Sequence, residues 1–219
     1  MDGTTPGQYF EPQPAVPSRP RQVRLTLPDL TIELATDSGV FSGDGVDAGT
    51  KYLLLDAPPP PDGPIDLLDL GCGYGPIAIT LARRAPLATV WAVDVNERAV
   101  GLCAANAATA GATGVRALAA ADPDSAVAAG LPALTQFGAI YSNPPIRIGK
   151  AALHSLLSGW LTHLVPGGHA YLVVQKHLGS DSLQRWLELQ GWPTTRISSR
   201  AGFRLLDVTT PDQPDDRES

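Results

Sequence analysis

The chain has 219 residues, a formal net charge of −6, 43% apolar and 17% charged residues, values that suit one folded domain and exclude a disordered chain. Two cysteines, Cys72 and Cys103, supply neither a disulfide framework nor the ligand set of a structural zinc site, and the negative charge excludes tight nonspecific binding of nucleic acid. Met1 to Pro20 has no apolar core and is no signal peptide, and no apolar run reaches the roughly 20 residues of a membrane span, so a cytoplasmic protein is expected.

Residues 1–22 are rich in proline and read as a flexible arm. Within residues 23–56, Val23 to Leu27 and Leu30 to Ala35 alternate apolar and polar side chains across Pro28-Asp29, which predicts a hairpin. Asp47 is placed to cap a short helix ending near Leu55. The proline-rich stretch Ala57 to Pro64 then leads into the main domain, residues 57–210. There the chain alternates strands (Ile65 to Leu70, Thr89 to Val93, Gly114 to Ala119, Phe137 to Tyr141, His169 to Val174) with helices (Gly75 to Ala85, Glu97 to Ala110, Ala151 to Leu164, Ser182 to Gln190). Thr195 to Ser199 and Phe203 to Thr209 form a last strand pair around Ala201-Gly202. The expected fold is α/β: a Rossmann-like, seven-stranded, mostly parallel sheet with one antiparallel edge strand, helices on both faces and a hairpin in front. Residues 211–219 read as an acidic disordered tail, which holds −3 of the net −6.

Asp69-Leu70-Gly71-Cys72-Gly73-Tyr74-Gly75 stands where a buried strand turns into a helix, the end of an open α/β sheet at which ligands bind. Its G-x-G-x-G spacing differs from the G-x-G-x-x-G of a dinucleotide fingerprint. Asp69 would repel a pyrophosphate there and attract a cofactor with a cationic amino acid moiety. Asp94 closes the next strand, where a carboxylate can accept from both hydroxyls of a ribose. Asp122, after the third strand, could accept from an adenine amino group; capping of a loop is the alternative.

Ser142-Asn143-Pro144-Pro145-Ile146 follows the fourth strand, at the same end of the sheet. The prolines fix φ, lack N–H groups and extend the residues before them, giving a rigid loop that offers the Asn143 side-chain carbonyl and the Pro144 backbone carbonyl. Two acceptors side by side suit an exocyclic NH₂ group. Accepting both hydrogens draws the nitrogen out of conjugation and aims its lone pair at an electrophilic methyl, so that alignment and preorganised dipoles do the catalysis.

Together with the Pro166-Gly167-Gly168 strand entry, these motifs resemble a class I methyltransferase. Phe41-Ser42, the segment Asp47 to Leu55, and the Ile146-Arg147-Ile148-Gly149-Lys150 tail resemble bacterial 16S rRNA guanine-N2 methyltransferases of the RsmC type, a likeness running from about Val23 to Thr209. The resemblance implies that Asp69, Gly71, Cys72, Gly73, Asp94, Val95, Asp122 and Asn143 bind S-adenosylmethionine, with Phe41 and Thr50 against its methionine end. It further implies that Asn143, Pro144, Pro145 and Ile146 form the catalytic loop, that Arg147 and Lys150 bind substrate, and that the partner is ribosomal RNA or the small subunit. Two departures stand out. Longer members carry a second, N-terminal methyltransferase-like domain where this sequence has an arm and a hairpin, so capture of RNA would rely on Arg19, Arg21, Arg24, Arg147 and Lys150. The family motif usually ends in an aromatic residue that stacks on the base, and here it ends in Ile146.

His154, His163, His169 and His177 show no metal-ligand spacing, and no metal is expected. A monomer is expected. The competing readings are a protein glutamine-N5 methyltransferase, a nicotinamide oxidoreductase, which the missing third fingerprint glycine disfavours, and a non-catalytic RNA-binding module.

Overall fold

The apolar run ending in Asp69-Leu70 becomes the strand β3 (Asp66–Leu70), in which four consecutive residues are buried because helices cover both faces of the sheet. The computed structural model describes residues 13, 14 and 16–211. Most of the predicted arm and all but Pro211 of the predicted acidic tail therefore lie outside the described residues. From Val16 on, the segment expected to be flexible is tied to the body. The Ser18 hydroxyl and the Arg19 N–H donate to the Asp37 carboxylate, and Arg98 donates to the Val16 carbonyl.

The predicted hairpin forms from β1 (Arg21–Thr26) and β2 (Thr31–Thr36), paired antiparallel. Helix α1 (Ala48–Asp56) is capped by Asp47, whose carboxylate accepts from the Gly49 and Thr50 amides. Then follow α2 (Pro76–Arg84), β4 (Thr89–Asp94), α3 (Glu97–Thr109), β5 (Val115–Ala119), α4 (Pro123–Ala128) and β6 (Phe137–Ser142). The chain continues with α5 (Lys150–Leu161), β7 (Leu164–Gln175), α6 (Ser180–Leu189), β8 (Thr194–Arg200) and β9 (Phe203–Thr209). The sheet order is β5-β4-β3-β6-β7-β9-β8, with β9 antiparallel to both its neighbours. The antiparallel strand at this side of the sheet thus lies one place in, between β7 and the outermost β8.

Two local features differ from expectation. Helix α4 is not among the predicted helices, because six residues give little periodicity; its start is fixed by Pro123 and by a reciprocal cap between Asp122 and Ser125. Pro166-Gly167-Gly168 does not precede β7 but lies inside it, and the pairing register with β6 shifts between Phe137 and Ala139.

Each face of the sheet carries its own apolar layer. One unites the hairpin with α1, α2 and α3, and the other gathers α5 and α6 around Trp160. The hairpin is joined to the main domain by buried amides. Asn106 on α3 donates to the Ala35 and Tyr74 carbonyls at 2.8 and 2.9 Å and accepts from the Ala35 N–H at 2.8 Å. Asn96 donates to the Gly39 carbonyl at 2.8 Å. Removing the Asn106 amide leaves buried backbone groups without partners. Asn106→Ala should therefore lower stability by about 2–4 kcal/mol, seen as a lower urea midpoint at unchanged slope; an unchanged midpoint would show that the hairpin is not held through Asn106.

Candidate active site

The carboxyl ends of β3, β4, β6 and β7 open on a cleft of about 340 Å³. One wall is the turn after β3, where Gly71 and Gly73 have φ of 80° and 54° and a Cβ built on either meets nothing within 4 Å, so bare backbone faces the cleft. Gly75 serves a different need: at φ 95° its Cβ would stand 2.7 Å from Cys103 Sγ, so this glycine lets α2 and α3 pack. The Gly71 and Cys72 amides donate to the Val93 carbonyl at 2.8 and 3.0 Å, locking the turn to β4.

Asp94 ends β4 on the cleft wall and accepts from the Gly73 and Asn96 amides at 2.9 Å each. Those bonds fix its carboxylate and leave lone pairs for two hydroxyls. Burial pushes the Asp94 carboxyl above the usual range. Val95 and Ala120 also line the cleft and give an apolar slot beside Asp94.

Across the cleft stands the Asn-Pro-Pro loop, with Asn143, Pro144, Pro145, Ile146 and Arg147 all on the wall. The Asn143 Nδ2 group donates to Asp47 Oδ2 at 2.8 Å and to Thr50 Oγ1 at 3.1 Å. A carboxylate can only accept, so this settles which end of the amide faces Asp47 and leaves the Oδ1 carbonyl as the end still able to accept. The Pro144 carbonyl was expected to be unoccupied. It accepts from the Ile146 N–H at 2.8 Å in a tight turn about Pro145, which leaves one of its two lone pairs for a ligand.

The cleft brings together Phe41, Gly71, Gly73, Asp94, Val95, Asn143 and the residues through Arg147. Phe41 is 45% exposed, carried by a loop in which Ser42, at φ 57°, donates to the Gly45 carbonyl. Other expected site residues lie elsewhere. Asp122 is exposed at the start of α4 and accepts from the Ser125 amide; the capping alternative holds because a short helix starts there. Cys72 and Thr50 line a side recess of about 20 Å³ rather than the main cleft. Thr50 acts as the anchor of Asn143 instead. The Cys72 thiol is pushed far up by its contact with Cys103 and by burial, so it is not a nucleophile. Lys150 begins α5, exposed and off the wall. Of the cations expected to capture RNA, Arg21 pairs with Asp44 and Arg24 with Glu33.

Asp69 is fully buried behind the turn. Its Oδ2 accepts from the Ala78 amide of α2 at 2.8 Å, and its Oδ1 has no hydrogen-bond partner among the described residues. Burial, then the nearby Asp94 charge, raises its pKa to about 8. An orphaned buried acceptor, a bare glycine turn and an acid at the end of β4 fit a ligand with a cationic amino acid end and a ribose. That is the outline of S-adenosylmethionine, which Gly71, Gly73, Asp94, Val95 and Ala120 could hold.

Sequence reasoning assigned no site role to Gln175, Leu178, Leu156 or Phe203, which complete the cleft beyond the Asn-Pro-Pro loop. Gln175 carried a usable signal, since it closes a parallel strand at the ligand-binding end; Phe203 reaches the site only through its pairing with Gln175.

The model of the methyltransferase small domain family matches residues 31–206. The chain is 36% identical over 198 residues to the uncharacterized protein YbxB of Bacillus subtilis, covering 90% of this chain and 96% of that protein. It is 35% identical over 167 residues to ribosomal RNA small subunit methyltransferase C of Shewanella amazonensis, covering 74% of this chain and 46% of that one. The chain thus spans about half the length of this second relative. Among solved structures, the 16S rRNA N2 methyltransferase RsmC of Thermus thermophilus, in complex with AdoMet and guanosine, superposes with a TM-score of 0.70 at 23% identity, over 90% of this chain and 52% of that one.

Because Asp69 binds its proton more tightly folded than unfolded, its contribution is intact below pH about 4 and is lost as pH rises toward about 8. Asp69→Asn keeps an acceptor for Ala78 and removes this titration. The variant's melting temperature, compared with that of the wild type, should gain steadily from pH 4 to 8, and a constant difference would refute the buried, raised carboxyl.

Proposed function

The chain belongs to the methyltransferase small domain family, whose members use S-adenosylmethionine, and on that premise we propose that it methylates an exocyclic amino group, guanine N2 of 16S ribosomal RNA, in the cytoplasm. The observation that carries the reading is the Asn143 amide: its Nδ2 group is engaged by Asp47 and Thr50, so its carbonyl is the end left to accept, and Pro144 lines the same cleft.

S-adenosylmethionine supplies an electrophilic methyl group on a sulfonium. The chain's part is to hold and orient. Asn143 Oδ1 and the remaining lone pair of Pro144 each accept one hydrogen of the amine, which localises the nitrogen lone pair. Pro144 and Pro145 make the loop stiff, so little reorganisation is needed when the amine docks. The surplus proton of the methylated amine passes to water. Arg147, exposed on the wall with no ion pair among the described residues, is placed to meet a phosphate of the bound strand.

A glutamine side-chain amide could satisfy the same two acceptors, so the substrate is decided by experiment. Tritium from labelled S-adenosylmethionine should enter small ribosomal subunits or their RNA as N2-methylguanosine. Asn143→Ala should lower the rate by about 10²–10³-fold, leaving cofactor affinity within a few-fold of wild type. Label in a protein glutamine, or none at all despite cofactor binding, would overturn the RNA reading.

A further inference from the structure

The Asn-Pro-Pro loop ends in Ile146 and brings no ring to the amine it faces. Among the described residues two aromatic rings line the cleft, Phe41 and Phe203. Phe41 also lines the side recess, which Gly71, Cys72, Tyr74, Asp47, Thr50 and Asn143 share. Phe203 lines the main cleft alone. Its ring lies on the first turn of α1, where a Cβ added to Gly49 would meet Phe203 Cε1 at 2.8 Å. The Gly49 amide donates to Asp47 Oδ2, the same oxygen that accepts from Asn143. The ring is therefore seated beside the anchor of the acceptor amide. Tyr52 backs it, with centroids 6.3 Å apart and planes tilted by 44°, and Phe203 remains only partly buried.

Gln175 and Phe203 are directly opposed across the antiparallel β7–β9 ladder, so their side chains share a face, and both line the cleft. The Gln175 side-chain amide makes no hydrogen bond among the described residues. A carboxamide presents a donor next to an acceptor, the complement of a base edge that does the same, such as N1–H and O6 of guanine. An aromatic face is sequence-tolerant and serves any planar base, whereas an aliphatic amide substrate gains little from it.

Resting on the reading of this cleft as an amine methyltransferase, we propose that Phe203 and Gln175 form the seat of the target base. Phe203 stacks on the ring and Gln175 reads its edge, a specificity device carried by β7 and β9 rather than by the Asn-Pro-Pro loop.

The test is equilibrium dialysis of labelled guanosine, adenosine and cytidine against the full chain saturated with S-adenosylhomocysteine. Phe203→Leu keeps apolar volume against Gly49 and Tyr52 but removes the face. It should weaken guanosine binding by about 5- to 100-fold, and Phe203→Tyr should restore it. Gln175→Leu should narrow the advantage of guanosine over adenosine. Affinity for S-adenosylhomocysteine and melting temperature should be unchanged throughout. If Phe203→Leu binds guanosine as the wild type does, the seat is refuted, and N2-methylguanosine still formed on rRNA would leave the methyltransferase reading standing. Failure of the wild type to bind any nucleoside refutes the seat whatever is methylated, and label found only in a protein glutamine removes both.

Discussion

The acceptor side of this cleft depends on the hydrogen bonds that orient one carboxamide. Free in water, an asparagine amide offers two donors and an acceptor without preference. Here Asp47 and Thr50 take the donors of Asn143. Both belong to the start of α1, nearly a hundred residues earlier in the chain. Asp47 does this while capping α1, so the helix, the loop before it and the acceptor amide form one rigid unit. The segment ahead of the main domain therefore supplies the groups that orient Asn143. The buried Asn106 and Asn96 amides fasten the hairpin and the segment after it to α3.

The opposite wall follows a different logic. The glycine turn is shaped to leave space, with Gly71 and Gly73 bare toward the cleft and Gly75 closed against Cys103. The acids behind it are set by burial. Asp94 is pinned by the amides of the turn, and Asp69 is kept from water with one oxygen lacking a hydrogen-bond partner among the described residues. Burying an ionised acid is costly, and a nearby cation relieves that cost. The wall thus suits a ligand that would bring positive charge to this end and hydroxyls to Asp94. Where the two walls meet, the proposed reaction would set the methyl donor held by one wall against the acceptors Asn143 and Pro144 of the other.

Much of this was legible because glycine, proline and aspartate act locally. The strand–turn–helix around Asp69 to Gly75 and the stiffness of Asn143-Pro144-Pro145 follow from backbone rules alone, and so did the capping role of Asp47. What sequence could not show was reach. Whether Asp122 turns to a ligand or to its own Ser125 depends on a six-residue helix with too little periodicity to detect. Nothing local says that Asp47 and Thr50 touch Asn143, that Asp69 sits behind the turn rather than on the wall, or that Arg21 and Arg24 are taken up by Asp44 and Glu33. The role of Phe203 depends on β9 being inserted beside β7, a topological fact invisible in either strand by itself.

Whether Asp47 serves the reaction by orienting Asn143 is decided by a double-mutant cycle on the rate of methyl transfer. Asp47→Ser retains a good helix cap but is too short to hold the Asn143 amide. It should lower kcat in the wild-type background and have no further effect on top of Asn143→Ala, because the two residues act as one unit. Rate losses that multiply independently would contradict that role and leave Asp47 as a helix cap alone.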